Sequence, residues 1–318
     1  MNNKLGEELF VDEEFHNKRV DYWIKKKIPT LSYPLICKII RKGKIKVNKK
    51  KITNSFLLKK GDSIRIFFEI ESSPLVKTKK IDQNFIKIVK RWIIYKDENI
   101  IAFNKPSGFA VQGGSKINIS LDDVLEFLNF KLKDRPKLVH RLDKNTSGLL
   151  IVSRNTPFTQ YLGKLFKNRK IKKKYLLFVN GSLDTKKGMI DLPVINNEKK
   201  LLSLTYFVVL KKKENFSLIL AYPVTGRKNQ LRRHFSGIGH PIIGEEKYHI
   251  NKSDEIQSDQ FFLHSLSLEF NDQKRQIKLF ASPPNYFIEK MDQINFSLQQ
   301  IKMDKDFKNL NLFVRVNV

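Results

Sequence analysis

The spacing of apolar residues predicts a small first domain. Apolar side chains recur at helical spacing in RVDYWIKKK (19–27) and SYPLICKIIRKG (32–43), and they alternate with polar ones in KIKVN (44–48) and after the Gly61-Asp62 turn. Ser32 is a suitable N-cap for the second helix, and Gly43 ends it. The order of helix, turn, helix and short strands predicts a domain over residues 16–70, preceded by an N-terminal arm at 1–15 that forms either a leading strand or a loose segment.

A second, larger domain follows a break in this pattern. Ser72-Ser73-Pro74 ends the last strand and a charged stretch follows, so residues 71–90 are interpreted as a linker. No further boundary is visible over residues 91–318. Short strand-like runs dominate this part: LLIVS, YLLFV, LTYFVVL, FSLILAYPV, FFLHSLSLEF and QIKLFA. Helical segments lie among them, which predicts an α+β domain whose mixed, mostly antiparallel sheet is flanked by helices.

One of these helical segments carries a clear start signal. SLDDVLEFLNFKL (120–132) has its leucines and valine on one helical face. Ser120 suits the N-cap, and Asp123 stands three residues later, as a capping box requires. We therefore predict an amphipathic helix that begins at residue 121.

The charge of the chain indicates a polyanionic partner. Its 318 residues include 61 Lys and Arg against 32 Asp and Glu, which gives a formal net charge of +29. Residues 18–65 alone hold sixteen basic and two acidic residues. Part of the lysine content can reflect neutral drift at solvent-exposed positions. The number of acidic residues has not increased in parallel, however, and this favours nucleic acid as the partner.

The composition also bears on location. Cys37 is the single cysteine, so no disulfide can form within the chain, as is typical of a reducing compartment. No uncharged apolar run approaches the roughly 18 residues that span a bilayer, and the first residues resemble neither a secretory signal nor a transit peptide. We expect a cytoplasmic protein.

The stretch KLVHRLDKNTSGLLIVS (137–153) places one acid, Asp143, between apolar flanks. Asp often begins an Asx-turn, and that structural role is the simpler alternative. The flanks predict partial burial, however, and a buried ionised Asp needs a cationic partner to keep its pKa low. Such a carboxylate indicates chemistry, as a nucleophile or a base.

A second stretch, TGRKNQLRRHFSGIGHPIIGEEKY (225–248), offers the cations Arg227, Arg232 and Arg233. If this segment is extended, Arg232 and Arg233 face opposite ways, so one can meet the acid and the other a phosphate. A basic surface turn is the alternative interpretation.

Metal-dependent hydrolysis is a further alternative. His and Asp are metal ligands, but the spacings of the available residues match no standard site. These residues are His140, Asp143, His234, His240 and His264. The sequence also contains no P-loop and no dinucleotide-binding glycine fingerprint. We expect neither a metal nor a cofactor, and we expect His234, His240 and His264 to be core or hydrogen-bonding residues.

Two families are similar to parts of the chain. The first domain resembles an S4-type RNA-binding domain in Arg19-Val20-Asp21, in residues 39–48 and in Lys60-Gly61-Asp62. The second resembles the RluA group of pseudouridine synthases, whose motifs are similar, in order, to NKPSGFAVQGGS (104–115), HRLDKNTSGLLIVS, IKKKYLLFVNG (171–181), TGRKNQLRRHFSGIGHPIIG and FFLHSLSLEF. VQGGS looks most like the RluC-type members of that group.

The resemblance implies specific roles. Asp143 matches the catalytic aspartate, Tyr175 the tyrosine that packs on the target base, and Arg232 the arginine that pairs with the aspartate. Arg141 matches the residue that fills the gap left by the flipped nucleotide. Taken alone, Tyr175 could equally be a core aromatic, but it follows three lysines, which favours the site. Further RNA contacts are expected from His140, Lys105, Arg227, Arg19, Arg41, Lys42 and Lys44.

The sequence departs from the family pattern at two positions. Asn229 stands where the family usually has His, and Glu245 stands where it usually has Asp. We expect both to lie at the edge of the site. The resemblance implies isomerisation of uridines in large-subunit ribosomal RNA, free or in an assembly intermediate. A monomer is the default expectation for the oligomeric state. The alternative is a non-catalytic S4-domain protein that binds RNA during ribosome assembly.

Overall fold

The computed structural model describes most of the chain in two compact units, residues 1–80 and 81–318. None of the helices in the described part is long and apolar enough to cross a membrane. The described residues are 8–29, 31, 33–67, 81–114, 117–130, 132, 134–196, 198–248, 256, 258–272, 275–301, 305, 307, 309–310 and 313–316.

The first unit has the predicted order of helices and strands. Its helices are α1 (Val20–Lys27) and α2 (Tyr33–Arg41), and its strands are β1 (Glu8–Phe10), β2 (Ile45–Val47), β3 (Lys50–Lys51) and β4 (Ser63–Ile66). The strands form one sheet in the order β1-β4-β2-β3. Gly43 ends α2 with φ 70°, a conformation that favours glycine, as its position predicted. The predicted cap Ser32 lies outside the described residues.

The N-terminal segment is part of this unit, and its described residues include a leading strand, one of the two alternatives predicted for residues 1–15. Strand β1 pairs antiparallel with β4, with Leu9 opposite Ile64. Val11 and Phe15 are buried in the same core as Trp23. The few apolar residues of the segment therefore complete a small core, which a 50-residue domain needs for stability.

The second unit contains the remaining elements. Its helices are α3 (Gln83–Arg91), α4 (Leu121–Val124), α5 (Thr156–Lys167), α6 (Gln230–Gly237) and α7 (Asn285–Asp292). Its strands are β5 (Ile93–Lys96), β6 (Ile100–Lys105), β7 (Lys137–Leu138), β8 (Ser147–Ser153), β9 (Lys172–Asn180), β10 (Lys187–Ile190), β11 (Val194–Asn196), β12 (Lys199–Leu201), β13 (Thr205–Lys212), β14 (Phe216–Pro223), β15 (Leu263–Asn271), β16 (Gln276–Phe280) and β17 (Val314–Arg315).

A mixed sheet organises this unit, as the strand-like runs predicted. Its strands lie in the order β17-β10-β13-β14-β9-β15-β8-β6-β5, with β16 beside β15 and β7 beside β8. The pairs β15–β8 and β10–β17 are parallel and the other pairs of this described sheet are antiparallel. The central strands are apolar on both faces because helices cover them, and all seven residues of β8 are buried.

Helix α4 confirms the start signal and shortens the predicted helix. Ser120 and Asp123 form the capping box, and α4 continues as a 3-10 turn over Leu125–Leu128. The predicted apolar face, which includes Leu121 and Leu128, is fully buried. The helical stretch therefore ends sooner than its pattern predicted, at residue 128.

Two segments differ from their sequence interpretation or had none. Helix α3 occupies 83–91, inside the stretch interpreted as a linker, and buries Ile86 and Val89 in the core of the second unit. Beyond Pro284, helix α7 buries Phe287 and Met291, and β17 pairs with β10. The tail is therefore part of the sheet and of its packing.

Candidate active site

The loop that carries Asp143 is fixed to the sheet at both ends. It joins β7 to β8, and the backbone N–H of Thr146 donates to the carbonyl of Asp143 at 3.1 Å. Gly148 has φ 103°, and a Cβ at this position would lie 2.3 Å from the carbonyl oxygen of Ser265 on β15. Only glycine permits β8 and β15 to approach so closely. The glycine of the Thr146-Ser147-Gly148 sequence therefore fixes the position of the loop.

Lys105 holds this loop from inside the protein. Its side chain is fully buried, and Nζ donates to the carbonyls of Pro106, Phe109 and Lys144 at 2.7, 2.9 and 3.0 Å. Ser107 donates to the carbonyl of Asn145 at 2.6 Å. The prediction that Lys105 binds RNA is wrong, because its charge is enclosed and its three donors are used by backbone carbonyls.

His140 also anchors the loop. Its Nε2 accepts from the backbone N–H of Ile151 at 2.9 Å, and its ring stacks on Phe166 at 4.8 Å. Burial, with a further effect of Lys173, lowers the pKa of His140 to about 3. It is therefore a neutral ring that fixes the loop against β8, and the expectation of a phosphate contact from this residue is not supported by its geometry.

The cleft beside the loop has a volume of about 660 Å³, and its charged lining residues are mostly basic. Asp143 is the one acidic residue among its described lining residues. The basic ones are Arg141, Lys167, Arg169, Lys173, Arg227, Lys228 and Arg232. A cleft lined by one sign of charge concentrates ligands of the opposite sign, so this lining suits an anionic backbone around one acid.

The ionisation of Asp143 depends on burial and on neighbouring charges. Burial raises the pKa of its carboxyl group; Arg232, Arg141 and Lys228 oppose that rise, and Glu245 adds to it. Arg141 itself is exposed. Burial is the largest of these effects, so the pKa of Asp143 is raised overall, and the basic residues of the cleft limit that rise and favour the ionised form.

Arg232 pairs with Glu245 and not directly with Asp143, which corrects the expected ion pair. Its Nε and Nη2 each lie 2.6 Å from a carboxylate oxygen of Glu245. The side chain of Glu245 is fully buried. Burial raises the pKa of Glu245, but hydrogen bonds from Arg232 and from the backbone N–H of Lys247 and Tyr248 lower it overall. Arg232 acts on Asp143 through its longer-range charge.

Of the two departures from the family pattern, Asn229 lies in the cleft beside Asp143, with its side-chain amide within hydrogen-bond distance of both carboxylate oxygens, so the expectation that it lies at the edge of the site is wrong. Glu245 is not among the described lining residues of the cleft. Glu245 follows Gly244, whose φ is 82° and whose Cβ would lie 2.2 Å from the carbonyl oxygen of Gln260. This tight turn brings Glu245 behind Arg232.

Tyr175 lies in the cleft on β9, as its position in the sequence predicted. Burial, and to a lesser extent the charge of Asp143, raises the pKa of Tyr175 to about 12. Sequence reasoning missed Lys173, which also lines the cleft. The signal was present, because residues two apart on a strand share a face and Lys173 precedes Tyr175 by two.

Arg232 and Arg233 stand on helix α6, so the segment is not extended, and the condition under which the two side chains would face opposite ways is not met. Arg233 donates to the carbonyl of Ile195 at 2.7 Å. Arg227 donates through Nε to the carbonyl of Leu202 at 3.1 Å. These two arginines therefore tie the cleft to the β11–β12 hairpin and the residue that follows it, and Arg227 also lines the cleft.

In the first unit the predicted RNA-contacting residues differ in exposure. Arg41, Lys42 and Lys44 are exposed where α2 ends and β2 begins. Arg19 instead donates through Nε to the buried Asp21 at 3.0 Å, and Tyr33 donates to the same carboxylate at 3.0 Å. The guanidinium of Arg19 is thus partly occupied, although its side chain is 49% exposed.

The alternative of a metal-dependent nuclease finds no support in side-chain placement. No three His, Cys, Asp or Glu side chains converge within the described part of the chain. His264 contacts Ser147 Oγ through Nδ1 and the carbonyl of Ala281 through Nε2, both at 2.9 Å. His234 Nε2 contacts the carbonyl of Leu192 at 3.0 Å, and His240 contacts that of Asn180 at 2.8 Å.

Comparison with known proteins agrees with the motifs. The family model described as RNA pseudouridylate synthase matches residues 99–237, and the S4 domain model matches residues 18–64. A protein of Rickettsia felis named ribosomal large subunit pseudouridine synthase C is 36% identical over 295 residues, covering 86% of this chain and 96% of the relative. The protein of the same name from Buchnera aphidicola is 33% identical and covers 87% and 93%.

Solved structures agree in fold. Human RNA Pseudouridylate Synthase Domain Containing 4 superimposes with a TM-score of 0.59 at 23% identity, over 68% of this chain and 97% of the human chain. Human RNA Pseudouridylate Synthase Domain Containing 1 gives a TM-score of 0.54 at 25% identity, over 65% and 91%. The first of these similarities concerns the fold alone.

Proposed function

The chain belongs to the RNA pseudouridylate synthase family, and on that premise we propose that it converts specific uridines of large-subunit ribosomal RNA to pseudouridine, with Asp143 as the catalytic carboxylate. The observation that carries the role of Asp143 is its position as the one described acid in a cationic cleft. The relatives named above supply the substrate class. This substrate agrees with the cytoplasmic location predicted from the sequence.

The reaction is an isomerisation. The N1–C1′ bond breaks, the uracil turns, and a C5–C1′ bond forms; C5 loses a proton and N1 gains one. No atom is lost and no oxidation state changes, so one carboxylate and proton transfers suffice. Asp143 can act by attacking C1′ or by removing a proton from the sugar, and both roles require its ionised form. The surrounding cations favour that form.

Tyr175 has the position of a stacking platform for the target base. The uridine must leave its stack to reach Asp143, which costs a few kcal/mol, and stacking on an aromatic ring returns about 1–3 kcal/mol. With a pKa of about 12, Tyr175 is a protonated phenol near neutral pH. We therefore assign it stacking and leave the removal of the C5 proton to Asp143.

The remaining cations have the positions expected of phosphate contacts. Lys173, Lys167 and Arg169 come from β9 and the end of α5, and Arg227 and Lys228 come from the segment before α6. Arg141 is exposed beside the acid, where it can fill the space of the extruded nucleotide. Such contacts fix the register of the RNA while the chemistry takes place at Asp143.

The test is to map pseudouridine in large-subunit ribosomal RNA from cells that lack the protein and are complemented with defined variants. Asp143→Asn keeps the shape of the side chain but removes its charge. We expect the wild type to restore specific sites and Asp143→Asn to restore none, with a loss of at least 10³-fold in the purified enzyme. Asp184→Asn is the matched control, since the Asp184 side chain is 94% exposed and pairs with Lys212.

Binding measurements separate this proposal from the non-catalytic alternative. We expect Asp143→Asn to bind the RNA with an affinity within a few-fold of wild type, because phosphate contacts remain. A wild-type protein that binds ribosomal RNA tightly but restores no site in the map would contradict the proposal and support a role in binding alone.

A further inference from the structure

A neutral amide, and not a cation, makes the direct contact with Asp143. One polar atom of the Asn229 side-chain amide lies 2.6 Å from Oδ2 and 3.0 Å from Oδ1 of Asp143, and the other lies 2.7 Å from the hydroxyl of Tyr248. We assign the nitrogen to the Asp143 side and the oxygen to the Tyr248 side. The opposite orientation of the amide would place its oxygen against two carboxylate oxygens, which cannot donate when ionised. The hydrogen-bond network therefore fixes the orientation.

The backbone at Asn229 suits this contact. Asn229 precedes helix α6 with φ 55° and ψ 31°, the left-handed conformation that Asn adopts more readily than most residues. Its side chain is consequently directed away from the first turn of α6, where it forms no capping hydrogen bond. The amide is free to contact Asp143.

Tyr248 is itself held in place from two sides. The guanidinium groups of Arg232 and Arg233 lie 5.2 and 5.0 Å from the centre of its ring, within the range of cation–π contacts. Its backbone N–H donates to Glu245 at 3.3 Å. The ring of Tyr248 is therefore fixed, and its hydroxyl, which can donate or accept, donates to the amide oxygen when the nitrogen of Asn229 faces Asp143.

We propose that Asn229 and Tyr248 are positioning residues that hold the carboxylate of Asp143 in its reactive orientation through an uncharged chain of hydrogen bonds. The inference rests on the proposed function, because it assigns these residues a part in the reaction of Asp143. Arg232, which is neutralised by Glu245, contributes its charge from a greater distance. Orientation and charge are thus supplied by different residues.

The proposal predicts that Tyr248 acts only through Asn229. Asn229→Ala should lower kcat about 100-fold, since loss of a positioning contact misplaces a reacting group. Tyr248→Phe should lower kcat about 10-fold, as expected for one neutral hydrogen bond. In the Asn229→Ala background, Tyr248→Phe should cause no further loss. KM for RNA should stay within about twofold in all three variants.

Asn229→Asp gives a second readout that a purely structural role would not change. The new carboxylate would face Asp143 at hydrogen-bond distance, and two such groups cannot both ionise freely. The acidic limb of the pH–rate profile should therefore move to higher pH by about one unit or more. The charged and titratable groups that already face Asp143 are Arg141, Lys228, Arg232, Lys105, Tyr175 and Glu245.

The experiment measures kcat and KM in multiple-turnover conversion, together with the single-turnover rate, on the full-length ribosomal RNA of the deletion strain, at the sites found in the map. Two matched controls carry the same chemical changes elsewhere: Tyr161→Phe, which loses a hydroxyl bond to the carbonyl of Asn271, and Asn295→Ala, at an exposed Asn with φ 51°. Thermal unfolding of each variant separates misfolding from misplacement.

The outcomes divide cleanly. Non-additive losses in kcat, with controls at wild-type rates and a shifted profile for Asn229→Asp, support the proposal. Rates within twofold of wild type for Asn229→Ala or Tyr248→Phe, or losses that multiply in the double variant, overturn it while leaving the enzyme assignment intact. A wild-type protein without activity on any ribosomal RNA removes both this inference and the proposed function.

Discussion

The two units use basic residues in opposite ways. In the first unit Arg41, Lys42 and Lys44 are exposed and form no ion pair with another described residue. In the second unit the basic residues of the cleft face the half-buried Asp143 and alter its ionisation. An exposed cation is screened by salt and contributes affinity, whereas a cation beside a buried acid controls its chemistry.

Buried polar groups follow the same division. The second unit encloses Lys105, His234 and His264, each at 1% exposure or less, and each with hydrogen bonds to backbone carbonyls. In the described part of the first unit the corresponding groups are few, and its histidine, His16, is exposed. The unit that holds the cleft therefore depends more on protonation states than the unit that carries exposed charge.

Acid should consequently unfold the second unit first. Burial lowers the pKa of His140 to about 3 and that of His234 and His264 to about 4. Because these values lie below the unfolded value of about 6.5, the contribution to stability is present above pH 6.5 and is lost as the pH falls towards 4. At pH 5 the loss is about 2 kcal/mol for each histidine, or about 6 kcal/mol for the three.

The two tryptophans allow each unit to be observed by itself. Trp23 lies in the core of the first unit and Trp92 in the second. Fluorescence of Trp92→Phe thus reports the first unit and that of Trp23→Phe reports the second. We expect the second unit to lose stability more steeply between pH 6.5 and 4, and His264→Gln to reduce that slope by about a third. Equal slopes in the two units would contradict the comparison.

Lys105→Met should be the next largest effect. The substitution keeps most of the side-chain volume but leaves three part-buried carbonyls without this donor, at a cost of about 3 kcal/mol. One of these carbonyls, that of Lys144, follows Asp143 directly, so kcat should also fall. Lys164→Met is the matched control, since Lys164 is exposed on α5 and should change stability by less than about 0.5 kcal/mol.

Chemical denaturation and single-turnover rates measure the two consequences separately. If Lys105→Met weakened RNA binding while leaving stability and kcat unchanged, the residue would be a phosphate contact, as the sequence alone predicted. Loss of stability together with kcat, at unchanged RNA affinity, would establish it as an internal support of the loop.

Regular structure was the part of the fold that sequence could predict. The helical spacing before Gly43, the capping box at Ser120 and the period-two runs of the sheet depend on neighbouring residues, and each appears in the structure. The helix that carries Arg232 was not predicted from the sequence, because the short run QLRRHFSG depends on tertiary packing of Leu231 and Phe235.

The identity of the acid in the site could also be predicted, but the partners of its neighbours could not. Lys105 bonds to Lys144 and Arg232 to Glu245, contacts between residues 39 and 13 positions apart. A lysine that donates to carbonyls and a lysine that contacts phosphate cannot be distinguished by sequence, because the residues that flank them are similar. Only the fold determines which of them is enclosed, and so which charge is available to RNA.

The smallest effect we predict concerns the exposed cations of the first unit. Replacing Arg41, Lys42 and Lys44 together by Gln should weaken binding to large-subunit ribosomal RNA about 100-fold at moderate salt, because up to three phosphate contacts are lost. The slope of log affinity against log salt should fall by about 2–3, and kcat at saturating RNA should not change. Filter binding over a salt series measures the affinity and its salt slope. Conversion at saturating RNA measures kcat.

Arg19→Gln is the comparison that sharpens this result. Its guanidinium already bonds to the buried Asp21, so the salt slope should change by much less than the amount expected for the loss of one phosphate contact. Removing it leaves the Asp21 carboxylate with the hydroxyl of Tyr33 as its remaining side-chain donor among the described residues, and the pKa of that carboxyl should rise from its lowered value. The first unit, observed through Trp23, should then lose about 1 kcal/mol of stability. A change in the salt slope equal to that of one phosphate contact, without this loss of stability, would show that Arg19 contacts RNA and does not support the fold.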